Sequence, residues 1–312
     1  MPVRTPTAMA LGTFDGLHAG HRQVIQTAIA LARGESGLDP APVPTVVSFW
    51  PHPREVLYGE TRLRLDLPEE KLAVLEPLGI QQLVLLPFTR ALASLSPERF
   101  VEDVLLHQLE ARCVVVGENF RFGAQRAGDA EALARLGRRH AIRVAVVPTL
   151  HDAAGRVSSS RIRQALAEGR IPAAEALLGR PYRFAGRVVK GRGLARRLGW
   201  PTANLEVSAR KFLPMDGVYA SLVWVGEDPG EGPMAAVMNL GRQPTVDPTA
   251  PSLPEVHLLD RQVDLLGRRL VVQPLRWLRS QRRFANLQEL AAQIGSDVEA
   301  SKQDWVALTE VG

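Results

Sequence analysis

The chain has 312 residues, of which 46% are hydrophobic and 23% are charged, and its formal net charge is +5. This length suffices for two ordinary domains with a core each, and the absence of any run of about 18 apolar residues excludes a predicted membrane span. A single cysteine, Cys113, and a start without the apolar core and cleavage site of a signal peptide predict a cytoplasmic protein, of unknown oligomeric state.

The first 168 residues alternate short apolar runs with helical patterns. Apolar residues at helical spacing after position 23 predict a helix that stops at Gly34, while Ser96 and Asp129 mark the starts of two later helices. Near-continuous apolar strands between helices indicate a doubly wound parallel α/β sheet covered on both faces. Five strands are predicted, at residues 8–12, 45–49, 82–87, 112–117 and 142–148.

Polar, turn-rich motifs follow four of these strands. They are GTFDGLHAGH at 12–21, WPHP at 50–53, GENFRFG at 117–123 and VSSSRIR at 157–163. Ligands of open parallel sheets bind beyond the carboxyl ends of the strands, so the four motifs can converge on one site.

The alternation of strand and helix patterns ends after a short helical connector at 172–178. Short β-type runs, separated by Gly- and Pro-rich turns, predict a small antiparallel β-barrel followed by a helix at 286–308. The boundary is predicted near 180, which gives domains 1–180 and 181–312. The predicted barrel strands are 183–190, 218–225, 235–239, 255–259 and 270–274.

His18 and His21 are three residues apart at the start of a predicted helix, so they lie on one face. A helix N-terminus offers free N–H groups to a phosphate, and imidazoles there can stabilise developing charge. Surface polar residues remain an open interpretation of this pair, while zinc is disfavoured because few other histidines are present. In VSSSRIR, serines suit a phosphate and Arg161 suits its charge, although alone a capped basic helix is favoured. Together the two motifs favour a phosphate site for a nucleotide.

In this order and spacing, the motifs and QRAGD at 125–129 resemble the adenylyltransferase module of bifunctional bacterial riboflavin kinase/FAD synthetases. The resemblance covers residues 8–180. It implies an ATP and phosphate site made of Gly12, Phe14, His18, His21, Ser159, Ser160 and Arg161. It implies a flavin site made of His52, Asn119, Phe120 and Arg121. Ser160 stands where this family more often has threonine, and the hydroxyl is retained.

The reaction implied by this resemblance is attack of the FMN phosphate on the α-phosphorus of ATP, with loss of pyrophosphate. Such a transfer needs alignment and charge neutralisation, with magnesium, rather than a protein nucleophile. His21 and Arg161 are therefore the predicted catalytic residues of the first domain.

The second domain contains GRVVKGRGLARRLGWPTANL at 186–205 and no nucleotide-binding signature of the P-loop or protein-kinase type. Thr202 and Asn204 are two residues apart, so in an extended segment they point the same way. A hydroxyl and an amide oxygen are suitable ligands for magnesium bound to ATP. Taken alone, PTAN is better explained as a turn entering a strand.

PTAN is followed by GVYAS at 217–221, NLGRQPTV at 239–246, EVHLLD at 255–260 and LRSQRRFANLQELAAQIGSD at 278–297. This set resembles the riboflavin kinase module of the same family over 183–305. The resemblance implies Mg-ATP on Thr202 and Asn204, Glu255 as the base for the riboflavin 5′-hydroxyl, and Arg279 in a loop over the flavin. Gly191 and Arg196 are the predicted residues of the phosphate loop.

The chain departs from this family at Ala195, where glycine is usual, at Arg261 and at Leu266. None of these changes removes a residue assigned to chemistry. The predicted partners are the small substrates ATP, riboflavin and FMN, with flavins as substrate and product rather than prosthetic group. We expect no nucleic-acid or membrane partner. Two alternatives stay open, a nucleotidyltransferase with another acceptor and a degenerate barrel, and a nucleic-acid-binding protein suggested by the basic charge.

Overall fold

The structure is a computed structural model that describes residues 3–34, 40–191, 199–226, 232–241, 253–261 and 263–310. The contacts of the chain divide it into two compact units, Met1–Ser159 and Ser160–Gly312. Each unit has its own sheet or barrel, as the change of rhythm along the sequence predicts.

The first unit contains a five-stranded sheet in which every pairing is parallel. Its strands are short, apolar and rich in β-branched residues, which suits strands covered on both faces. The order across the sheet is β3-β2-β1-β4-β7. The strands of this unit are β1 (Thr7–Leu11), β2 (Val43–Trp50), β3 (Gln82–Pro87), β4 (Ala111–Gly117), β5 (Arg121–Phe122), β6 (Gly128–Asp129), β7 (Arg143–Val147), β8 (His151–Asp152) and β9 (Gly155–Arg156).

Helices cover both faces of this sheet. On β1, Met9 and Leu11 belong to one buried cluster, while Ala10 belongs to another that includes Ile25 and Ile29 of the first helix. Alternate residues of a strand point to opposite faces, so both faces are packed. The helices are α1 (Ala19–Gly34), α2 (Pro53–Tyr58), α3 (Pro68–Leu75), α4 (Arg90–Ala93), α5 (Pro97–Arg99), which continues as a π-helix (Phe100–Gln108), and α6 (Ala130–Arg139), with 3-10 turns at Glu76–Leu78 and Ala124–Arg126.

The two predicted helix starts carry side-chain caps. Ser96 Oγ accepts a hydrogen bond from the Arg99 amide at 3.2 Å, and Asp129 Oδ1 accepts one from the Ala132 amide at 2.8 Å. Each bond satisfies one of the backbone donors that a helix leaves free at its first turn. The helix after Ser96 differs from the expectation in one respect, because most of it is wound as a π-helix.

The order of strands reverses between β1 and β4, which lie side by side in the centre of the sheet. From β1 the chain continues outward to β2 and β3, whereas from β4 it continues to β7 on the other side. Such a reversal opens a crevice at the carboxyl ends of the two central strands. The motifs GTFDGLHAGH and GENFRFG follow these two strands.

The second unit is a closed barrel of six antiparallel strands in the order β10-β11-β14-β13-β12-β15. Among its described helices and those of the first unit, none is long and apolar enough to cross a membrane. Its elements are α7 (Ser159–Ala167), which begins at the boundary, α8 (Ile171–Leu178), β10 (Phe184–Val189), β11 (Ala203–Glu206), β12 (Gly217–Val225), β13 (Met234–Gly241), β14 (Leu253–Leu258), β15 (Arg269–Arg279) and α9 (Leu287–Glu310).

Helices α7 and α8 pack with the barrel. The Met215 amide donates to the Leu166 carbonyl at 2.9 Å, and α8 lies against β15. At Gly169, which has φ of 70°, a Cβ atom would lie 2.9 Å from Met215 Cε. By its contacts, the chain therefore divides at the start of α7. The sequence places the domain boundary near residue 180, and that boundary stays a prediction.

The parallel sheet, the antiparallel barrel and the C-terminal helix confirm the predicted fold class. Several short elements have no counterpart in the sequence prediction: α2, α3, α4 and the two hairpins β5–β6 and β8–β9. Strand β11 follows Pro201, as expected of a turn entering a strand, but its four residues ANLE contain no continuous apolar run that would identify it as a barrel strand.

Candidate active sites

The turn between β1 and α1 has an unusual backbone. Gly16 has φ of 90°, and two residues with side chains, Phe14 and Leu17, both have φ of 43°. Both side chains are buried, at 2% and 0% exposure. Left-handed backbone is unfavourable for such residues, and it persists where the surrounding structure holds it, often at functional sites. This turn therefore has a fixed shape that its own residues do not prefer.

His18 is the residue that caps α1. Its Nδ1 accepts a hydrogen bond from the His21 amide at 3.3 Å, and its carbonyl accepts one from Arg22 at 3.0 Å. Since Nδ1 acts as the acceptor, the hydrogen of the neutral ring is on Nε2. The imidazole can therefore donate one further hydrogen bond from Nε2.

The two histidines lie on one face, as their spacing predicts, and their rings are stacked. Their centroids are 3.6 Å apart with an interplanar angle of 17°, and the edge of the Phe14 ring meets His21 at 5.3 Å. At Gly20, a Cβ atom would lie 3.4 Å from the His18 ring. The rings are thus held face to face at the start of α1.

The pair is neutral at pH 7. Burial, assisted by the charge of Arg156, lowers the pKa of His18 to about 4. Burial also lowers the pKa of His21 well below its usual range, with smaller contributions from His18, Lys71 and Arg156. The rings can therefore act as uncharged donors, and negative charge brought close to them would raise both pKa values.

Ser159 connects the start of α7 to this turn. Its Oγ donates a hydrogen bond of 2.7 Å to the Asp15 carbonyl. The residues that the structure brings together are thus Gly12, Phe14, His18, His21 and Ser159. The Phe14 ring is buried, so only its backbone can face a ligand. On α7, Ser160 is exposed and Arg161 is half-buried.

The predicted flavin residues of the first unit have mostly local partners. Asn119 Nδ2 donates to Thr149 Oγ1 at 2.6 Å, and Phe120 stacks on Phe122 with centroids 5.6 Å apart. Arg121 forms an ion pair with Asp129 at 2.8 Å.

His52 caps α2. Its Nδ1 accepts from the Arg54 amide at 3.1 Å, while its own amide donates to Glu55 Oε2 at 2.8 Å. One ring nitrogen of His52 is therefore used in starting a helix. A flavin role for His52 and for 119–121 stays a prediction.

Three polar side chains form a row across the barrel. Glu255 on β14 is directly opposite Asn204 on β11 and opposite Asn239 on β13. Residues directly opposite one another in a sheet share a face, so the carboxylate lies between two amides. Val256 is 1% exposed while Glu255 and His257 are half-buried, so Glu255 and His257 lie on the face of β14 opposite to Val256.

Two further contacts fix the segment around Thr202. A Cβ atom at Gly191 would lie 1.9 Å from Asn204 Nδ2, so the amide occupies space that only glycine leaves open. His257 Nδ1 donates a hydrogen bond of 2.8 Å to the Pro201 carbonyl, and the His257 ring meets Trp200 edge-on with centroids 5.3 Å apart. Asn204 itself is 9% exposed.

Arg279 ends β15 and is held by the C-terminal helix. Its Nε lies 2.9 Å from Asp297 Oδ1 and its Nη2 lies 2.7 Å from Oδ2, while Gln293 also donates to Oδ1. Asp297 is 5% exposed, and it is not among the predicted site residues because its partner is distant along the chain. Its position in GSD of the last motif is the signal that could have found it.

Four other residues are named in the sequence prediction: Ala195, Arg196, Arg261 and Leu266. Ala195 and Arg196 lie outside the described residues. Arg261 is exposed, and Leu266 is 63% exposed.

Within the described part of the chain, no group of three or more His, Cys, Asp or Glu residues could hold a metal ion. Thr202 and Asn204 offer a hydroxyl and an amide oxygen, and Glu255 is opposite Asn204. Magnesium prefers such oxygen ligands and is commonly bound through one or two protein groups plus the phosphates of a nucleotide. The residues present fit magnesium that arrives with ATP.

Comparisons with known proteins match each unit separately. The sequence profile of FAD synthetase matches residues 1–161, and that of riboflavin kinase matches residues 178–305. A bifunctional riboflavin kinase/FMN adenylyltransferase from Escherichia coli K12 is 38% identical over 97% of this chain and 93% of its own length. Its counterpart from Bacillus subtilis is 34% identical over 93% of this chain and 90% of its own length.

A solved structure supports the fold along the whole chain. It is described as a macrolide-efflux protein from Streptococcus pneumoniae, with 30% identity, a TM-score of 0.83, and coverage of 96% of this chain and 95% of that one. That description concerns the other protein.

A parallel sheet with a turn suited to phosphate at its switch point in one unit, and a six-stranded barrel in the other, define a two-domain nucleotide-using transferase. Both profile matches and the full-length relatives agree on which one. The chain belongs to the family of bifunctional riboflavin kinase/FMN adenylyltransferases.

Proposed function

We propose that this bifunctional enzyme makes FMN at the row Asn204–Glu255–Asn239 of the barrel and FAD at the turn between β1 and α1. The chain phosphorylates riboflavin with ATP and adenylylates FMN with a second ATP, as the two profile matches and the full-length relatives indicate. The observation that carries the assignment of the FAD site is the stacked, neutral His18–His21 pair at the switch point of the sheet.

At the first site, the phosphate oxygen of FMN attacks the α-phosphorus of ATP and pyrophosphate leaves. His18 donates from Nε2 and His21 from its ring, so both stabilise by hydrogen bonding the charge that grows on the phosphates. Ser159 and Ser160 begin α7, whose N-terminus favours an anion, and Arg161 supplies a positive charge on the same helix. In this proposal the flavin is held by His52, Asn119, Phe120 and Arg121.

At the second site, Glu255 accepts the proton of the riboflavin 5′-hydroxyl as that oxygen attacks the γ-phosphorus of ATP and ADP leaves. Thr202 and Asn204 hold ATP together with its magnesium, which supplies charge neutralisation of the phosphates. Gly191 leaves room for Asn204, Arg196 supplies a positive charge for the phosphates of ATP, and Arg279 supports the loop that covers the flavin. Both flavins pass through as substrate and product. A cytoplasmic location is part of the proposal, supported by the single, buried cysteine Cys113.

One crossed experiment tests both assignments in the full-length chain. His21→Ala removes a phosphate donor, which typically costs 10²–10³ in turnover at such sites, so FAD formation should fall by roughly that factor. Glu255→Gln keeps the volume but cannot take a proton, so riboflavin phosphorylation should fall by roughly 10²–10⁴-fold. Initial rates with riboflavin or with FMN as substrate separate the two steps.

Each variant is the control for the other. His21→Ala should keep the parental rate of FMN formation, and Glu255→Gln should keep the parental rate of FAD formation from added FMN. A variant with both rates at the parental level removes its residue from the proposed site. Parallel loss of both rates in either variant contradicts two separate sites.

A further inference from the structure

A buried lysine lies against the turn between β1 and α1 and has no part in the function proposed above. Lys71 is on α3 and is only 7% exposed. Lysine is rarely buried to this degree unless its ammonium group is paired, because leaving water costs a charge several kcal/mol. The position of this ammonium group therefore needs a reason.

The ammonium group binds the backbone of the strained turn. Lys71 Nζ donates to the Thr13 carbonyl at 3.2 Å and lies 3.4 Å from Ser48 Oγ. Ser48 Oγ donates to the same carbonyl at 2.9 Å. One carbonyl thus accepts from two buried side chains, one on α3 and one on β2.

Lys71 interacts electrostatically with two buried carboxylates and with His21. Burial lowers the pKa of Lys71, and the nearby carboxylates of Asp15 and Asp66 oppose that change. Both carboxylates are buried, at 4% and 2% exposure. The charge of Lys71 in turn contributes to lowering the pKa of His21.

The geometry of the Thr13–Phe14 peptide relates this contact to the side of the turn where the phosphates of ATP are proposed to bind. The Thr13–Phe14 bond is not among the cis peptides of the described chain, so it is trans and its N–H points opposite to its carbonyl. With the Thr13 carbonyl held by Lys71 and Ser48, the Phe14 amide faces the other way. The next residue, Phe14, has the unfavourable φ of 43° and contacts His21 with its ring.

We infer that Lys71 is a positioning residue for adenylyl transfer, which holds the Thr13–Phe14 peptide so that the Phe14 amide and the His18–His21 pair face the phosphates of ATP. The inference rests on the proposed FAD site. Lys71 acts through Thr13 and does not itself touch the substrate.

The test is Lys71→Met in the full-length chain, which keeps an apolar side chain of similar length and removes the ammonium group. The kcat of FMN adenylylation should fall roughly 10²-fold, since a misplacement of about 1 Å at such a site costs that much. The KM for ATP should change by less than about threefold, because the lost interaction matters mainly in the transition state. Lys71→Arg restores charge and donors and should recover most of the turnover.

The chain offers two controls. Riboflavin phosphorylation by the same preparation should stay within about twofold of the parent, since its site is independent. Lys211→Met removes the other buried lysine, which is 3% exposed and donates to the Arg183 carbonyl at 3.0 Å in the barrel unit. It should lower the melting temperature and leave FMN adenylylation within about threefold of the parent.

If Lys71→Met does not fold, Ser48→Ala tests the same carbonyl. It removes the second donor and should reduce kcat about tenfold at unchanged KM. The inference is overturned if Lys71→Met or Ser48→Ala keeps the parental kcat per folded molecule, or if Lys211→Met reduces adenylylation as much as Lys71→Met. A parent chain that makes no FAD would instead contradict the proposed function.

Discussion

At the two sites, the role that a residue can play depends on its burial and its hydrogen bonds more than on its residue type. His18 could have been a surface residue, but its Nδ1 caps α1 and its ring stacks on His21. Arg279 could have been a free cation in a loop, but its Nε and Nη2 donate to Asp297 and its Nη1 donates to the Ser280 carbonyl. Such partners decide which atoms remain for a substrate. For His18 the remaining atom is Nε2.

The lowered pKa of His18 predicts a dependence of stability on pH. The unfolded chain takes up the proton near pH 6.5, whereas the folded chain does so only near pH 4. The folded state therefore loses stability as the pH falls from about 6.5 to about 4, by about 1.4 kcal/mol per pH unit and about 3 kcal/mol in total, and is fully stable above this range.

His18→Asn isolates this contribution, because asparagine also caps a helix and does not titrate. In urea unfolding at pH 7 and pH 5, the variant should lose less stability between the two pH values than the parent, by about 2 kcal/mol. Equal losses in the two proteins would show that His18 titrates normally in the folded state.

At the scale of elements, the features that depend on local sequence patterns could be predicted, whereas the features that depend on distant partners could not. The five strands of the sheet and the caps at Ser96 and Asp129 follow from apolar runs and local hydrogen bonds. The place of strand β11 in the barrel depends on its pairing with β10 and β14, which the local sequence does not predict. The segment Pro68–Leu75 resembles an ordinary charged helix, and nothing in it shows that Lys71 turns inward to Thr13.

The candidate sites follow the same division. The motif residues from Gly12 to His21 could be predicted because they are contiguous and follow a strand. The row of Asn204, Glu255 and Asn239 comes from three strands, and its register depends on closure of the barrel. Asp297 lies in the last motif, but its contact with Arg279, which is 18 residues away, could not be predicted from the sequence.

The close approach of two elements predicts the effect of one substitution. Gly191→Ala places a Cβ atom 1.9 Å from Asn204 Nδ2, so the amide or the loop must move. We expect kcat/KM of riboflavin phosphorylation for ATP to fall roughly 10²-fold, with FMN adenylylation unchanged. Gly295→Ala is the matched control, because its Cβ atom would meet Trp200 only at 3.8 Å. Parental kinase kinetics in Gly191→Ala would mean that the position of Asn204 is not critical.

At the scale of the whole molecule, two compact units correspond to two chemical steps. The FAD synthetase profile ends at residue 161 and the riboflavin kinase profile begins at 178, so α7 and most of α8 lie between them. In the structure, the contacts of Leu166 and Gly169 go to Met215 in the barrel unit. At the same time, Ser159 at the start of α7 binds the Asp15 carbonyl. Helix α7 is therefore needed by both fragments if the units are separated.

Fragments of the chain can test whether both units depend on helix α7. A fragment of residues 160–312 should phosphorylate riboflavin and melt cooperatively, and one of residues 1–180 should adenylylate FMN. A fragment of 180–312, which lacks α7 and α8, should melt at least about 5 °C lower than 160–312 because the barrel loses apolar contacts. Circular dichroism measures both transitions. Equal melting temperatures would show that the two helices do not stabilise the barrel.

The most direct test of the central claim, that one chain makes FMN at the barrel and FAD at the sheet, is a time course of flavins. The purified chain is incubated with riboflavin, ATP and magnesium and no other enzyme, and the flavins are separated by chromatography. We predict that riboflavin is converted to FMN and FMN then to FAD, that His21→Ala stops at FMN, and that Glu255→Gln forms FAD only when FMN is added. A chain that leaves riboflavin unchanged, or that makes FMN but no FAD from either substrate, would contradict this account.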